Sequence, residues 1–416
     1  MTQEALNHDA EPALAKSFNL YELDPGFLTN PYPTYHALRT HDPIHRLPDD
    51  SFFLTRYEDC MAVYRDPETF ISDKKVEFGK KFGDSPLFKH HTTSLVFNDP
   101  PRHTRVRKLL APAFTPRAVA RLEPVFADMV EDLLDKGAAR GGFDLIADFA
   151  SALPVWIIGD LLNVPRAERG PLRGWSLAIL GALEPVISDA QAKAGNDAVA
   201  EFSDYLEGLI AERRKNPGDE NDVLTTLIMG EVSDDTGAVD RLTGPELVQN
   251  CIFLLNAGHE TTTNLIGNGT AALLDNPDQK ALFIADPDTT RPAVEEFLRY
   301  ESSNQLGNRK TSVAVTLGGV EMPAGTYIHT CIGAANRDPA VFPDPDRLDI
   351  LRSPNRHLAF GGGIHICAGN SLARMEGAIA IRRLFERFPG LRPAGKPVRG
   401  GRARFRGYLS YPVEFA

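Results

Sequence analysis

Several large protein classes are closed to this chain by what it does not contain. Its 416 residues include four cysteines, Cys60, Cys251, Cys331 and Cys367, scattered with no C-x-x-C pair. No disulfide framework or zinc knuckle is indicated, and a reducing compartment, the cytoplasm, is expected. No apolar run approaches the ~20 residues that a membrane helix needs. The opening Met1-Thr2-Gln3-Glu4 lacks the cationic and apolar regions of a signal peptide. Basic residues are outnumbered, 45 against 56 acidic, for a net charge of −11, which argues against a nucleic acid as partner of the molecule as a whole. No G-x-G-x-x-G opens a βαβ unit, so any electrons the chain uses come from another protein. There is no internal repeat and no low-complexity segment.

What is present suits a large enzyme. A hydrophobic content of 42% can bury a sizeable core, and the length allows two or three domains. The motifs below argue for a single domain over residues 31–416, preceded by an N-terminal extension over 1–30 that need not be ordered. The fold class is mainly α with a minor β part. Strand signals fall around Ser51 to Thr55. They recur at Val313, Val315 and Leu317, which Gly318-Gly319 turns into Val320 and Met322 as a hairpin, and again at Tyr408 to Tyr411. Thr243-Gly244-Pro245-Glu246 is a capping box. The helix it opens can run to Pro277, about 30 residues or ~45 Å.

One cysteine stands apart. In Phe360-Gly361-Gly362-Gly363-Ile364-His365-Ile366-Cys367-Ala368-Gly369 it lies between a glycine-rich turn and an amphipathic helix marked by Ile381, Leu384, Phe385 and Phe388. Glycines let backbone N–H groups approach the sulfur and the helix N-terminus adds positive potential, so the thiolate is favoured over the thiol. A buried free cysteine behind a turn is the plainer reading of a lone Cys. A second chemical patch is Ala257-Gly258-His259-Glu260-Thr261-Thr262 in the middle of the long helix. There a glycine opens one face while a carboxylate and a hydroxyl stand side by side; a small-residue helix crossing is the alternative. Glu296 and Arg299 share a helical face, and so do His103 and Arg107, a spacing that suits one anion.

Together these stretches resemble the cytochrome P450 family. Phe360 to Gly369 is similar to the haem-thiolate signature F-G-x-G-x-x-x-C-x-G, and Ala257 to Thr261 to the oxygen-activation motif [AG]-G-x-[DE]-T. Glu296-Phe297-Leu298-Arg299 is similar to the E-x-x-R pair. The resemblance implies heme b (iron protoporphyrin IX) as cofactor, with Cys367 as axial ligand of its iron. A thiolate in that position pushes electron density toward the metal and favours O–O cleavage. The resemblance also implies that Thr261 and Glu260 deliver protons. Arg347 joins the Glu296–Arg299 pair as a structural third member, and His103, Arg107, Arg309 and His357 neutralise the haem propionates. The expected activity is that of a monooxygenase placing one atom of O2 into a small organic substrate, by hydroxylation or oxidative demethylation. The expected partners are a ferredoxin and an NAD(P)H-dependent ferredoxin reductase; Arg102, Arg105, Lys108 and Arg374 form a basic docking face or else a scattered set of solvated cations. The protein is expected to be a monomer with no membrane association. Lys74, Lys75, Lys80, Lys81, Lys89, His90 and His91 crowd a presumed pocket wall, where they either attract a carboxylate or form a mobile polar lid of solvated lysines; the substrate is expected to be a small aromatic or carboxylate compound. Leu254, Leu306 and Phe405 suggest a partly apolar cavity. A peroxide-driven haem peroxygenase and a haem gas sensor are the alternatives; retention of Glu260 argues against the first, and the lack of room for an output domain against the second.

Overall fold

The capping box at Thr243 forms as its residue types require. Glu246 N–H donates to Thr243 Oγ1 at 3.3 Å, and Glu246 Oε2 accepts from Thr243 N–H at 3.1 Å. The helix it starts runs Gly244–Asp275, ~48 Å at 1.5 Å per residue, and ends just before Asn276-Pro277. This is seen in a computed structural model of the chain, which describes residues 11–218, 222–230, 232–233 and 239–415. Helices dominate, with small sheets between them. None of the described helices is long and apolar enough to cross a membrane.

The chain divides into two compact units, and the long helix contributes residues to both. The first unit takes in Met1–Ser72, Asn268–Cys367 and Val398–Tyr408. Its centre is a five-stranded sheet of β1 (Ile44–Arg46), β2 (Phe52–Leu54), β3 (Phe70–Ile71), β4 (Leu306–Thr311) and β5 (Tyr327–Cys331), in the order β1-β2-β5-β4-β3. Only β2 and β5 pair in parallel. Ala15, Phe18, Leu20 and Phe27 pack with Tyr32, Tyr35, Leu38 and Phe53 in one apolar cluster. Residues 11–30 are therefore part of the fold and not a loose extension, because four of their side chains bury more apolar surface against this unit than they leave in water. The anticipated hairpin joins Val315–Leu317 to Val320–Met322. Gly318 and Gly319 sit at φ +55° and +85°, the left-handed region in which a two-residue hairpin turn places its central residues.

The second unit comprises Asp73–Gly267, Ala368–Pro397 and Leu409–Ala416. It is a helical assembly whose apolar core gathers Leu87, Ile158, Ile179, Phe202, Ile252 and Leu255. Hydrogen bonds tie three of its helices to one another: His90 Nδ1 contacts Gln249 Oε1 at 3.0 Å, and Gln249 Nε2 donates to Ser203 Oγ at 3.3 Å. At Gly258 an added Cβ would lie 2.4 Å from Ile158 Cδ1. The glycine is what lets the long helix approach the helix Ala152–Leu161.

Candidate active site

The cysteine loop belongs to the first unit. Gly361 and Gly363 adopt φ +68° and +63°, and a Cβ at Gly363 would fall 2.0 Å from the Tyr64 carbonyl oxygen, so this position admits only glycine. The loop closes on itself: Gly361 N–H donates to Leu358 O at 2.8 Å, and Cys367 N–H to Phe360 O at 2.9 Å. The amide of Cys367 is thus committed to Phe360 and is not a donor to its own sulfur. The helix Asn370–Arg387 begins three residues after the cysteine, with Ile381, Leu384 and Phe385 fully buried. Cys367 is the partly exposed one among the cysteines; Cys60, Cys251 and Cys331 are buried. Burial pushes the thiols of Cys251 and Cys331 up to about 12, and that of Cys60 well above its ordinary value. Those three are inert core residues. The accessible sulfur on a glycine-locked loop is the one whose chemistry fits an axial haem ligand.

The expected propionate partners are distributed between the units. His103 is buried and Arg107 half-buried on one face of the helix Arg102–Leu110 in the second unit. In the first unit, Arg309 lies on β4 with its guanidinium 5.3 Å from the Tyr64 ring centroid and Nη1 donating to Asn308 O at 2.7 Å. His357 Nδ1 accepts from Ala359 N–H at 3.2 Å, and its Nε2 meets Glu295 Oε2 at 3.0 Å. Both ring nitrogens of His357 therefore already have protein partners, and Nε2 carries the proton.

Glu296 and Arg299 form the most deeply buried ion pair of the first unit, both side chains at 0% exposure. Arg299 Nε and Nη2 donate to the two carboxylate oxygens at 2.8 and 2.7 Å, the bidentate geometry a guanidinium is built for. The third member differs from the expectation. Arg347 supplies its main-chain carbonyl to Arg299 Nη2 at 3.2 Å, while the guanidinium that reaches Glu296 is that of Arg352, Nε to Oε2 at 3.2 Å. Turns at Asp344–Arg347 and Asp349–Arg352 carry Arg352 back over Glu296. The sequence offers two arginines five apart in an irregular loop, and only the path of that loop decides between them.

In the second unit Glu260 is buried and Thr261 partly exposed. Thr261 Oγ1 donates to Ala257 O at 2.7 Å, which commits the hydroxyl hydrogen to the helix and leaves the oxygen lone pairs able to accept. His259, given no role from sequence, is buried, and burial followed by the Arg173 charge lowers its pKa to about 4. Sequence reasoning missed Glu376 altogether. Its carboxyl is fully buried, hydrogen-bonds the Thr262 side chain, and is pushed up to about 8 by desolvation, so it is protonated at neutral pH. The signal was a Glu in the middle of the helix Asn370–Arg387, six residues after Asn370, which periodicity alone places on neither face decisively.

Three of the four cations expected on a docking face are partly buried and have partners within the second unit. Arg102 Nε reaches Glu246 Oε1 at 3.2 Å and Arg105 Nη2 bonds the same oxygen, while Arg374 Nη1 donates to Asn370 Oδ1 at 2.8 Å. Arg102 and Arg105 are drawn inward by the carboxylate that also caps the long helix. Lys108 alone of the four is well exposed.

A glycine-locked accessible cysteine in the first unit and an acid–hydroxyl pair on the long helix are features that a haem-thiolate oxygenase would use. A family model described as Cytochrome P450 matches residues 180–397. Over 91% of its length the chain is 40% identical to Cytochrome P450 107B1 of Saccharopolyspora erythraea, covering 93% of that protein. It is also 40% identical to the vitamin D(3) 25-hydroxylase of Pseudonocardia autotrophica, over 88% of each chain. Among solved structures, that of P450BioI in complex with hexadec-9Z-enoic acid ligated acyl carrier protein is similar with a TM-score of 0.88 and 34% identity, over 94% of this chain and 100% of that one. The chain belongs to the cytochrome P450 family: it is a monooxygenase, and its cofactor is haem b.

Proposed function

We propose that this monooxygenase hydroxylates a predominantly apolar organic molecule, with Cys367 as the haem ligand, Glu260 and Thr261 as the proton-delivering pair, and a ferredoxin with its NAD(P)H-dependent reductase as the electron source. The overall balance is RH + O2 + 2 e⁻ + 2 H⁺ → ROH + H2O. When bound, haem supplies the activation of dioxygen and the oxidation of the C–H bond. The protein supplies the rest. Cys367 offers an anionic sulfur from a loop that its glycines hold in one conformation. Glu260 would supply the acid, and Thr261, whose oxygen can accept a hydrogen bond from water or from a protonated group, the hydroxyl for proton delivery. Glu376 keeps a further proton behind Thr262. The lack of a dinucleotide fingerprint supports a separate electron donor.

The observation that carries this reading is the Thr261 hydroxyl, bonded to Ala257 O at 2.7 Å and partly exposed one residue from buried Glu260. The lysines that suggested a carboxylate substrate give it little support. Lys75 pairs with Asp73 at 3.1 Å, Lys81 donates to Glu184 O, and Lys89 lies 3.9 Å from Asp84; burial lowers His90 to about 4, leaving it uncharged. Thr261→Ala tests the proposal. Consumption of reductant should continue while the fraction converted to hydroxylated product falls by about a factor of ten or more. Unchanged coupling would remove Thr261 from the proton path.

A further inference from the structure

Asn256 lies one turn before Glu260 on the long helix, 3% exposed, and neither its Oδ1 nor its Nδ2 has a hydrogen-bond partner in the protein. Of the other amides on this helix, Asn264 leaves its Nδ2 open and Asn268 its Oδ1, while Gln249, Asn250 and Asn268 make hydrogen bonds. Gln249 holds His90 and Ser203. Asn250 accepts from Leu95 N–H at 3.0 Å and donates to Glu246 O at 2.8 Å, and Asn268 donates to Glu301 O at 3.2 Å and to Arg406 O at 3.0 Å. Among the described residues Asn256 is the buried amide side chain with both ends open. An interior carboxamide left this way is destabilising unless something other than the protein meets it.

Its place on the helix says what that is. Phe253, Ala257, Gly258 and Thr261 are the positions of the middle turns that retain exposure, while residues 254–256 and 259–260 are buried. At helical spacing, residues 253, 257 and 261 form one stripe that includes the hydroxyl of the proton-delivering pair. Asn256 borders that stripe at the level of Ala257, one turn from Thr261. His259 on the same helix is uncharged, lowered to about 4 by burial, and Glu260, one turn on from Asn256, is the acid of the proton-delivering pair. A carboxamide has one acceptor and two donor hydrogens and no charge.

We propose that Asn256 is a specificity-determining residue that binds an uncharged hydrogen-bonding group, a hydroxyl or a carbonyl oxygen, on an otherwise apolar substrate. The proposal rests on the monooxygenase reading above. A hydroxyl satisfies both ends of the amide by accepting from Nδ2 and donating to Oδ1, whereas a carboxylate would bring a charge into a buried place where the amide offers no neutralising cation. Alkyl groups leave the amide as it is. Discrimination therefore runs alcohol over hydrocarbon and alcohol over carboxylate.

The test uses the haem-loaded full chain and three matched probes, phenylbutanol with a terminal hydroxyl, butylbenzene and phenylbutanoate, titrated against the ferric spin-state spectrum. In the wild type the alcohol should bind more tightly than the hydrocarbon by about tenfold, the factor one neutral hydrogen bond carries. Asn256→Leu should bring that ratio to about one without weakening butylbenzene. An unchanged ratio in the variant, or phenylbutanoate binding more tightly than the alcohol in the wild type, overturns the proposal. A second readout needs no ligand. Asn256→Leu should leave the melting temperature unchanged or higher, since an unpaired amide is removed, and a drop of several degrees would show that the protein itself holds the side chain. Failure of the underlying haem-thiolate reading would appear separately, in the spectrum of the reduced, carbonylated wild type before any probe is added.

Discussion

Glu301 in the first unit and Glu376 in the second are both buried glutamates, at 8% and 2% exposure, yet they rest in opposite charge states. Burial alone raises the pKa of each. At Glu301 the effect is overcome by Arg406, Arg399 and Arg337, with a hydrogen bond from Tyr32, and the pKa falls to about 2. Arg406 Nε meets its carboxylate at 2.6 Å and the Tyr32 hydroxyl donates to it at 2.8 Å. Arg337 lies over the Tyr32 ring at 3.6 Å and over Tyr300 at 4.0 Å, and continues to Asp346 at 3.0 Å. Glu376 has one hydroxyl, that of Thr262, no cation among the described residues offsets its desolvation, and it stays protonated up to about 8. The comparison teaches that depth of burial does not decide ionisation: the count of guanidinium groups facing the carboxyl does. The first unit uses its buried acid as an anion that knits chain segments together. The second keeps one as a neutral acid beside the helix that carries Thr261.

Breaking the ionised member should have the larger effect. Glu301→Gln strands Arg406 and Arg337 without their carboxylate, and should destabilise the folded protein by ~3–5 kcal/mol, read as a fall in denaturation midpoint. Because the folded pKa is depressed from 4.5 to about 2, the stabilisation is present above about 4.5 and lost as pH falls toward about 2; the variant should lack that acid-side slope. Next in size is the Glu296 site. Arg352→Gln should lower stability by about 1–3 kcal/mol, while Arg347→Gln, whose contribution is a main-chain carbonyl, should fall within ~0.5 kcal/mol of wild type. The reverse order would restore Arg347 as the third member. Smallest is Glu376→Gln. Its folded pKa is raised from 4.5 to about 8, so its contribution is favourable below about 4.5 and lost as pH rises through about 8. The variant should match wild type at pH ~5 and melt a few degrees higher at pH ~9. A lower melting temperature at both pH values would mean that the neutral acid is needed for packing.

What could be read in advance was local. The ends of the long helix follow from Thr243, Glu246 and Pro277, the hairpin from Gly318-Gly319, and the cysteine loop from glycines at positive φ, one of them pressed against the Tyr64 carbonyl. These signals lie within a few residues of the structure they specify. What escaped depends on residues distant in the chain. The choice of Arg352 over Arg347 is made by the path of an irregular loop. The capture of Arg102 and Arg105 by Glu246 joins positions more than a hundred residues apart. Glu376 and Thr262 meet across a similar separation, and the open amide of Asn256 is visible only once its neighbours are known. Residues 1–30 read in sequence as an N-terminal extension that need not be ordered, yet Phe18, Leu20 and Phe27 find partners in Tyr35 and Phe53.

The role given to Cys367 can be tested with the absorption spectrum of the reduced, carbon monoxide-bound protein, recorded for wild type and for Cys367→His. The wild type should show the Soret band displaced far to the red by an anionic sulfur donor, and the variant a band like that of a globin. A globin-like band in the wild type, or a displaced band that survives in Cys367→His, would contradict the assignment of this sulfur as the ligand on which the site is built.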